Sequence, residues 1–276
     1  MGALFHSVES LLAAVDASLA DVGERTARVA VFDADHTLWN GDIGDEAFAA
    51  AGAEGFLLAE TWRGPVRAWG EAWGLSLPAS PADGVRQVLE AASSGKLEAA
   101  AEARGLPPGG WRAGLYAMQA WAFAGRTRGE VAAFGEQLFA RGFEQQLYPQ
   151  MRRLVTGLLA RGVEVRIASA SHGALVVPGG ARLGLAEAFV MGMEPALDAD
   201  GRTLNTLAQD TYGPAKAAAV DAALGGRRPL WAFGDSVLNT DRELLAGAVH
   251  GVAVAAKAAH REAALGSPTL RLFDPA

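Results

Sequence analysis

The sequence predicts an α/β protein: a doubly wound, Rossmann-like parallel sheet with an all-helical domain inserted into it. Short apolar runs rich in β-branched residues, such as residues 28–33 and 163–168, are typical of strands buried on both faces. These runs alternate with helix-periodic stretches, which favours a parallel sheet. The insertion is predicted from the length of chain between the first two strands. Asp33 and Ser169 are 136 positions apart, whereas a strand–helix–strand crossover needs only about 30 residues.

The elements are predicted in chain order from apolar runs, caps and breaks. An amphipathic helix with Ser7 as its N-cap opens the chain. A turn signal at residues 198–201 indicates a hairpin after the third strand. The predicted strands are 28–33, 163–168, 188–191, 229–233, 249–254 and 269–273, and the predicted core helices are 149–161, 173–184, 214–224 and 240–246.

Residues 41–147 are predicted to form the inserted helical domain, and residues 1–40 with 148–276 to form the core. The inserted stretch is Ala-rich and helix-periodic, and Gly and Pro break it at residues 64–65, 74–84 and 107–110. The segment 127–130 reads Thr-Arg-Gly-Glu, which matches a capping box before another helix.

Composition excludes several classes of protein. The net charge is −7 and no long basic run is present, so a nucleic-acid partner is not expected. The absence of cysteine excludes disulfides, thiolate metal sites and a Cys nucleophile. Acids interrupt the N-terminal apolar stretch, so it does not resemble a signal peptide, and the longest run without Asp, Glu, Lys or Arg, residues 167–181, is too short to span a bilayer. We therefore expect a cytoplasmic protein without a membrane partner, and the sequence predicts no oligomeric state.

Two acidic residues, Asp33 and Asp35, follow the first predicted strand. Open α/β sheets bind ligands at this carboxyl edge. Two carboxylates so close repel each other, so a positive charge is expected beside them. Mg²⁺ is one candidate, and an aspartate in this position can also act as a nucleophile that becomes phosphorylated. The alternative is a pair of solvated loop acids that cap the next element.

Hydroxyl groups mark the end of the second predicted strand. Ser169 ends that strand and Ser171 precedes a predicted helix. A hydroxyl and the free N–H groups at a helix start suit a phosphate oxygen. The alternative is that one of these serines is an ordinary N-cap.

A lysine and further acids follow at later element boundaries. Lys216 lies in the first turn of a predicted helix, where the helix dipole disfavours a cation, so an anion is expected nearby; the alternative is a solvated surface lysine. Asp235 ends another predicted strand after Gly234, and Asn239 and Asp241 follow it.

The order of these segments resembles the four motifs of the haloacid dehalogenase-like phosphatase superfamily. A DxDxT sequence begins at Asp33, and Ser169, Lys216 and a Gly-Asp pair with a later acid follow in the family's order. The resemblance covers roughly residues 28–40 and 148–255. The helical insertion resembles the C1 cap of the phosphoserine phosphatase-like branch.

The resemblance implies a role for each matching residue. Asp33 matches the nucleophile, and Asp35 matches the acid/base that protonates the leaving oxygen and then activates water. Thr37 matches the residue that braces the loop. Ser169 matches the phosphate ligand, with Ser171 as a less favoured substitute.

The resemblance also implies where positive charge is placed. Lys216 matches the cation that neutralises the nucleophile and the phosphoryl group. The implied Mg²⁺ ligands are the Asp33 carboxylate, the Asp35 backbone carbonyl and Asp235.

Two positions depart from the family pattern. The residue before Thr37 is usually Gly or another small residue, but here it is His36. Its side chain could crowd the phosphate, hydrogen-bond the substrate or point harmlessly away, and a harmless or structural position is favoured. The second acid of the fourth motif usually lies three to five residues after the first, whereas Asp241 lies six and Asn239 four residues after Asp235. Either can hold a water bound to the metal, and we favour Asp241 because a carboxylate better offsets Mg²⁺ and Lys216.

The expected function is Mg²⁺-dependent hydrolysis of a small phosphorylated metabolite through an aspartyl-phosphate. Asp35 favours rapid turnover, because the dehalogenases and P-type ATPases of the superfamily lack an acid there. The alternatives are a phosphotransferase, in which an alcohol replaces water, and a phosphate-binding regulatory protein without turnover.

The substrate class is predicted from the insertion. Asp42 lies nine residues after Asp33, the spacing at which phosphoserine phosphatases place an acid for the substrate amine. An ammonium group prefers a carboxylate together with aromatic faces, so phosphoserine, phosphoethanolamine or phosphocholine is favoured. The alternatives are that Asp42 is a helix N-cap and that the tryptophans form the core of the insertion. These tryptophans are Trp62, Trp69, Trp73, Trp111 and Trp121.

Overall fold

An eight-stranded, mostly parallel sheet forms the centre of the protein, which confirms the predicted α/β fold class. The structure, a computed structural model, describes residues 4–254 and 257–275, so residues 1–3, 255–256 and 276 of the predicted core lie outside the described residues. The strand order is β1-β8-β7-β6-β2-β3-β4-β5, and among these described strands only the β4–β5 pair is antiparallel. The strands are β1 (Leu4–Phe5), β2 (Thr26–Phe32), β3 (Glu164–His172), β4 (Val190–Leu197), β5 (Thr203–Gln209), β6 (Arg228–Gly234), β7 (His250–Val254) and β8 (Leu270–Phe273).

Helices cover both faces of the sheet, because successive side chains of a strand point in opposite directions. Ala30 and Phe32 of β2 belong to a hydrophobic cluster with the first core helices, whereas Val29 and Val31 belong to a second cluster on the other face. Ser7 caps the first helix as predicted. The core helices are α1 (Val8–Leu19), α9 (Pro149–Leu159), α10 (Gly173–Arg182), α11 (Pro214–Ala223), α12 (Arg242–Gly247) and α13 (Ala258–Gly266).

The segment between β2 and β3 is helical, and residues 41–147, all of them described, contain no strand. The two linkers that join this segment to the sheet run side by side. The Asn40 N–H donates to the Gln146 carbonyl at 2.8 Å, and the Tyr148 N–H donates to the Leu38 carbonyl at 3.0 Å. Its helices are α2 (Ile43–Ala53), α3 (Ala59–Thr61), α4 (Arg67–Ala72), α5 (Pro81–Ser93), α6 (Lys96–Glu102), α7 (Trp111–Trp121) and α8 (Arg128–Ala140). The capping box predicted at Thr127 is present.

A third attachment joins this helical segment to the sheet. The turn after α7 pairs with β5, where the Gly125 N–H donates to the Thr203 carbonyl at 2.8 Å and the Thr203 N–H to the Arg126 carbonyl at 2.8 Å. The buried Thr203 hydroxyl also donates to the carbonyl of Phe123 at 2.7 Å. Nearby, α8 packs closely on α10, because Gly135 has no side chain to meet the Leu175 backbone.

The structure corrects several predicted boundaries. The predicted break at residues 64–65 is wrong: a wide π turn, Trp62–Val66, carries the helix past Pro65, and such a turn accommodates a residue without an N–H donor. The third predicted strand begins only at Val190, after a short 3-10 turn at Glu187–Phe189. The elements β1 and α13 were not predicted, because neither has enough apolar residues at the spacing of a strand or a helix to be recognised. Among the described helices, none has the length and apolar character that crossing a bilayer would require.

Candidate active site

The carboxyl ends of β2, β3 and β6 meet at one edge of the sheet and open into a cavity beneath α7. Because β2 lies between β6 and β3, the loops that follow these three strands are neighbours. Residues from both the sheet and the helical segment line the cavity. They include Asp33, Asp35, His36, Asp42, Asp45, Arg112, Tyr116, Tyr212, Asp235, Asn239, Lys257 and His260.

Lys216 forms the centre of a buried charge network. Its side chain is fully buried, and its Nζ lies 2.7 Å from Asp33 Oδ1 and 2.6 Å from Asp241 Oδ1. Burial alone would lower the pKa of Lys216, but the carboxylates of Asp241 and Asp33 raise it above its ordinary value. The lysine therefore remains a cation, and the interpretation of Lys216 as a solvated surface residue is wrong.

Asp33 lies directly after β2 and is almost fully buried. Its Oδ1 accepts a hydrogen bond from Lys216 and its Oδ2 accepts one from the Thr37 hydroxyl at 2.9 Å. Burial and the nearby Asp241 carboxylate raise the pKa of Asp33 to about 7, although Lys216 opposes them. The carboxylate is thus oriented by two donors, and because it shares one lysine with Asp241 the network keeps a net negative charge.

Thr37 contacts Asp33 itself rather than only bracing the loop. For the phosphatase activity that the family resemblance implies, we expect Thr37→Val to reduce the rate about 10- to 100-fold, because one hydrogen bond to a charged group contributes about 1.5–3 kcal/mol. Thr37→Ser keeps the hydroxyl and is the matched control. The rate of phosphate release under saturating substrate measures the effect, and equal rates for the Val and Ser variants would show that Thr37 does not position Asp33.

Three carboxylates converge where the family resemblance implies a metal. Asp33, Asp235 and Asp241 each offer an oxygen, and these oxygens lie within 4.8 Å of one another. Burial, Asp241 and Asp33 raise the pKa of Asp235 to about 8. A hard cation would relieve this crowding, and carboxylate oxygens are donors that Mg²⁺ prefers. The side chains present therefore fit Mg²⁺.

The stability of the metal-free protein should depend on pH through these same groups. Asp33 and Asp235 have pKa values raised from 3.8 to about 7 and about 8, so the folded chain binds their protons more tightly than the unfolded chain. The contribution of Asp33 and Asp235 to the free energy of unfolding should therefore fall as pH rises from about 4 to about 8. Mg²⁺ competes with those protons, so the increase in Tm on adding Mg²⁺ should grow with pH.

Thermal melts at pH 5, 6, 7 and 8, with EDTA or with Mg²⁺, measure this dependence. Asp235→Asn is the control, since removing one of the two raised groups should flatten the pH dependence. A Tm increase on adding Mg²⁺ that is equal at pH 5 and pH 8 would contradict the prediction.

Asp241 and Asn239, the two candidates for the second residue of the fourth motif, occupy different positions. Asp241 is fully buried; its Oδ1 contacts Lys216 and its Oδ2 accepts the Ser236 N–H at 3.0 Å. Asn239 lines the cavity. Gly234 permits this arrangement, since a Cβ there would lie 2.7 Å from the Asp241 carboxyl carbon. With both oxygens engaged, Asp241 is placed to orient Lys216.

Asp35 connects three parts of the site. Its Oδ1 accepts the Trp39 Nε1–H and the Ile43 N–H, each at 2.8 Å, which fixes the loop against the start of α2. Its Oδ2 accepts the Ser171 hydroxyl at 2.7 Å and the Ser169 hydroxyl at 3.3 Å. The second acid is thereby positioned from β3 as well as from its own loop.

Ser169 and Ser171 are both buried, and both belong to β3 rather than to a helix start. Neither is the N-cap that was considered: His172 caps α10, with its Nδ1 accepting the Ala174 N–H at 3.1 Å. Both hydroxyls contact Asp35, and only Ala170 between them lines the cavity with Asp33. The role of Ser169 as a phosphate ligand stays a prediction.

His36 adopts a left-handed backbone conformation with φ of 60°. This explains why a small residue is usual here, because most side chains are strained at positive φ while His tolerates it better than most. Its N–H donates to the Gly41 carbonyl at 3.1 Å. The side chain is half-buried and lines the cavity, so it does not point away from the site. The favoured interpretation, that His36 is harmless or structural, stays a prediction.

Asp42 is the N-cap of α2, the alternative to an amine ligand, and its Oδ1 accepts the Asp45 N–H at 3.0 Å. Burial, Asp35 and Asp45 raise the pKa of Asp42 well above its ordinary value. Asp42 nonetheless lines the cavity together with Asp45, whose Oδ1 accepts the Gln119 Nε2–H at 2.7 Å. Capping the helix and facing the cavity are therefore compatible.

None of the five tryptophans of the insertion, all of which are described, lines the cavity. Trp62 and Trp111 are buried, and Trp69, Trp73 and Trp121 pack against the same core. The tryptophans therefore do not provide the aromatic faces for a substrate ammonium group, and the interpretation that they form the core of the insertion is right. The aromatic residues that line the cavity are instead Tyr116 and Tyr212, whose ring centroids lie 5.8 Å apart.

Five further cavity residues carry no signal in the sequence. Arg112 and Tyr116 are one turn apart on α7, but a helix of this composition offers many such pairs. Tyr212 precedes α11, and Lys257 and His260 lie at the start of α13, an element that was not predicted. Only the tertiary packing shows that these side chains share a cavity with Asp33.

Comparisons with known proteins agree with this geometry. A model of the haloacid dehalogenase-like hydrolase family matches residues 30–246. No curated protein matches the chain. Among solved structures, a protein of unknown function from Bordetella pertussis Tohama I has a TM-score of 0.64 at 21% identity, over 91% of this chain and 100% of that chain.

Two other solved structures are similar to this chain in fold at low sequence identity. A functionally unknown protein from Anaerococcus prevotii DSM 20548 has a TM-score of 0.61 at 13% identity, over 99% of this chain and 92% of that chain. A substrate-bound phosphoserine phosphatase has a TM-score of 0.51 at 15% identity, over 91% of this chain and 93% of that chain. At these identities the likeness shows a shared fold.

Proposed function

The chain belongs to the haloacid dehalogenase-like hydrolase family, and on that premise we propose that it is a Mg²⁺-dependent phosphatase of small phosphomonoesters. The observation that carries the proposal is the buried network in which Lys216 contacts both Asp33 and Asp241, with Asp35 beside it. A fully buried lysine in contact with the expected nucleophile supports a site built for an anionic phosphoryl group.

In the first step, an Asp33 carboxylate oxygen attacks phosphorus and the bond from phosphorus to the leaving oxygen breaks. Asp35 donates its proton to that leaving oxygen, so the product leaves as an alcohol. Lys216 stays charged throughout and offsets the negative charge on Asp33 and the phosphoryl oxygens. Mg²⁺ held by Asp33, Asp235 and the Asp35 carbonyl would supply further positive charge there.

In the second step, Asp35 takes a proton from water, and the resulting hydroxide oxygen attacks the phosphorus of the aspartyl-phosphate. The bond between phosphorus and Asp33 breaks, which releases phosphate and restores both carboxyl groups. Because a hydroxyl both donates and accepts, Ser171 and Ser169 support Asp35 in either protonation state.

The helical segment is proposed to act as the cap. Arg112 and Tyr116 of α7 line the same cavity as Asp33, so substrate would be enclosed between the two parts and shielded from bulk water. Hydrogen exchange with Mg²⁺ and BeF₃⁻, a mimic of the phosphorylated aspartate, should protect amides of the helical segment, residues 41–147. Unchanged exchange throughout residues 41–147 would argue against a cap.

A panel of small phosphomonoesters with Mg²⁺ tests the proposed activity. Release of phosphate that stops in EDTA is the expected result. If added alcohols divert the product from free phosphate to a new phosphoester, the chain is a phosphotransferase. If no ester is turned over but BeF₃⁻ with Mg²⁺ raises the Tm, the chain is a phosphate-binding protein without turnover.

We also propose that the substrate bears an amine, held near Asp42, Asp45 and the two tyrosine rings. We expect Asp42→Asn to raise KM for phosphoethanolamine about tenfold, equal to about 1.4 kcal/mol, with little effect on glycerol phosphate. The fold should survive, because Asn caps helices as well as Asp does.

Glu46→Gln is the matched control for this variant, since Glu46 is exposed on the same helix and does not line the cavity. Equal changes in KM for the amine and for glycerol phosphate in Asp42→Asn would exclude the amine and leave the phosphatase proposal intact.

A further inference from the structure

A second, much smaller cavity lies where α2, β3 and α7 meet. Ala170 and Tyr116 line both this cavity and that of the candidate active site, so the two are neighbours. Besides Tyr116, the polar side chains around the small cavity are those of Gln119, Ser171 and His172. Its volume is about 10 Å³, on the measure by which one water molecule needs about 10–15 Å³. The cavity therefore has the size of a single water.

His172 presents a hydrogen-bond donor to this cavity. Its side chain is only 2% exposed. Nδ1 accepts the Ala174 N–H at 3.1 Å, so the neutral ring carries its proton on Nε2. Within residues 4–254 and 257–275, Nε2 has no hydrogen-bond partner. Burial, together with the charge of Arg128, lowers the pKa of His172 to about 3, so the ring stays neutral near pH 7.

Gln119 presents an acceptor. Its side chain is 4% exposed, and its Nε2 donates to Asp45 Oδ1 at 2.7 Å. A carboxylate only accepts, so the amide nitrogen must face Asp45 and the oxygen Oε1 must face away from it. In the described part of the chain, no protein group donates to this Oε1.

Ser171 presents a second acceptor. Its hydroxyl donates its proton to Asp35 Oδ2 at 2.7 Å. A hydroxyl oxygen that donates keeps its lone pairs, so it can still accept from a group in the cavity. The small cavity thus offers one donor, the His172 Nε2–H, and two acceptors, the side-chain oxygens of Gln119 and Ser171.

This set of groups matches water better than an ion. A water molecule that accepts one hydrogen bond and donates two is the complement of one donor and two acceptors. A cation would face the His172 N–H, and an anion would face the two acceptor oxygens. Buried polar groups without partners cost free energy, and a buried water typically supplies about three hydrogen bonds.

We propose that one ordered water molecule binds in this cavity, accepting from His172 Nε2–H and donating to Gln119 Oε1 and Ser171 Oγ. The water fixes the Gln119 amide so that its nitrogen faces Asp45, and it holds the Ser171 hydroxyl beside Asp35. His172 and Gln119 are then positioning residues for acids that line the candidate active site. The inference does not depend on the proposed phosphatase activity.

Nuclear magnetic resonance of the ¹⁵N-labelled histidine rings tests the bound water, with His172→Asn to assign the signal. The His172 ring should show the Nε2–H tautomer at every pH from 5 to 8. Its Hε2 should give cross-peaks to water of opposite sign in NOE and ROE spectra, which distinguishes a bound water from proton exchange. A ring that titrates in this range, or an Hε2 signal without such cross-peaks, would overturn the proposal.

Gln119→Leu tests the acceptor. The variant removes Oε1, so the cross-peaks between His172 Hε2 and water should disappear. Gln145→Leu is the matched control, because Gln145 is exposed and does not line the cavity, and it should keep them. Cross-peaks that survive unchanged in Gln119→Leu would show that Gln119 does not hold the water.

Exchange of the Gln119 side-chain amide protons tests the positioning role, and decides it even if Gln119→Leu fails to fold. His172→Asn removes the donor to the water but can still cap α10, and it should accelerate this exchange about tenfold or more. His250→Asn is the matched control, since His250 lies at the start of β7 and does not line the cavity. Equal exchange rates in His172→Asn and the parent would overturn the link from His172 through water to Gln119.

Discussion

Asp33→Asn is expected to lower kcat by about a thousandfold or more, because an amide oxygen cannot replace a carboxylate as the nucleophile. The substitution preserves the shape of the side chain, and its oxygen can still accept from Thr37. Phosphate release with excess Mg²⁺ measures the loss, and the parent protein in EDTA should be inactive as well.

The Tm of Asp33→Asn is the control for folding and should be close to that of the parent, since the amide removes a negative charge from a crowded site. Substantial residual turnover in this variant, or parent activity that persists in EDTA, would rule out an aspartyl-phosphate formed with Mg²⁺.

Lys216→Met is expected to cause the second largest loss, in both activity and stability. It leaves the buried Asp33 and Asp241 carboxylates facing each other without the cation that now contacts both. Breaking a buried ion pair on one side costs about 3–5 kcal/mol, so the free energy of unfolding should fall by that amount. Activity should fall about a thousandfold, because the phosphoryl charge loses its neutralising partner.

A second substitution separates the two effects. Adding Asp241→Asn to Lys216→Met removes one unpaired charge and should recover part of the stability without recovering activity. Denaturant unfolding gives the stability and phosphate release gives the activity. A Lys216→Met protein with a near-normal rate would show that Lys216 does not neutralise the phosphoryl group.

The strand-end residues could be predicted because local sequence determines them. A buried apolar strand ends at Phe32, and whatever follows it must emerge at the carboxyl edge of the sheet, which places Asp33 there. The same logic places Asp235 after β6. β2 and β6 are neighbouring parallel strands, so both acids emerge at one edge, and the parallel direction follows from the alternation of strands and helices.

The environment of each side chain could not be predicted in this way. Lys216 reads from sequence as an ordinary lysine in the first turn of a helix; it is buried only because α11 presents that turn to Asp33 and Asp241. Likewise, β3 continues through Ser171, which turns two candidate phosphate ligands toward Asp35. Arg112 depends on how α7 lies over the sheet, which no local pattern specifies.

The pairing of Thr203 with the turn after α7 limits how the protein can admit its substrate. Two linkers that run side by side, as at Asn40 and Gln146, would on their own allow the helical segment to rotate about one axis relative to the sheet. β5 lies three strand positions from β2, about 14 Å at the usual strand spacing, so the attachment at Thr203 lies well off that hinge line. A helical segment that is also attached at a third point away from that axis cannot rotate as a rigid unit relative to the sheet. Arg112 and Tyr116 should therefore stay over Asp33 in every state, and entry should depend on movement of the shorter elements between α2 and α7. The helix α7, which covers the reacting atoms, is then held in place when the chain folds and is not positioned by substrate binding.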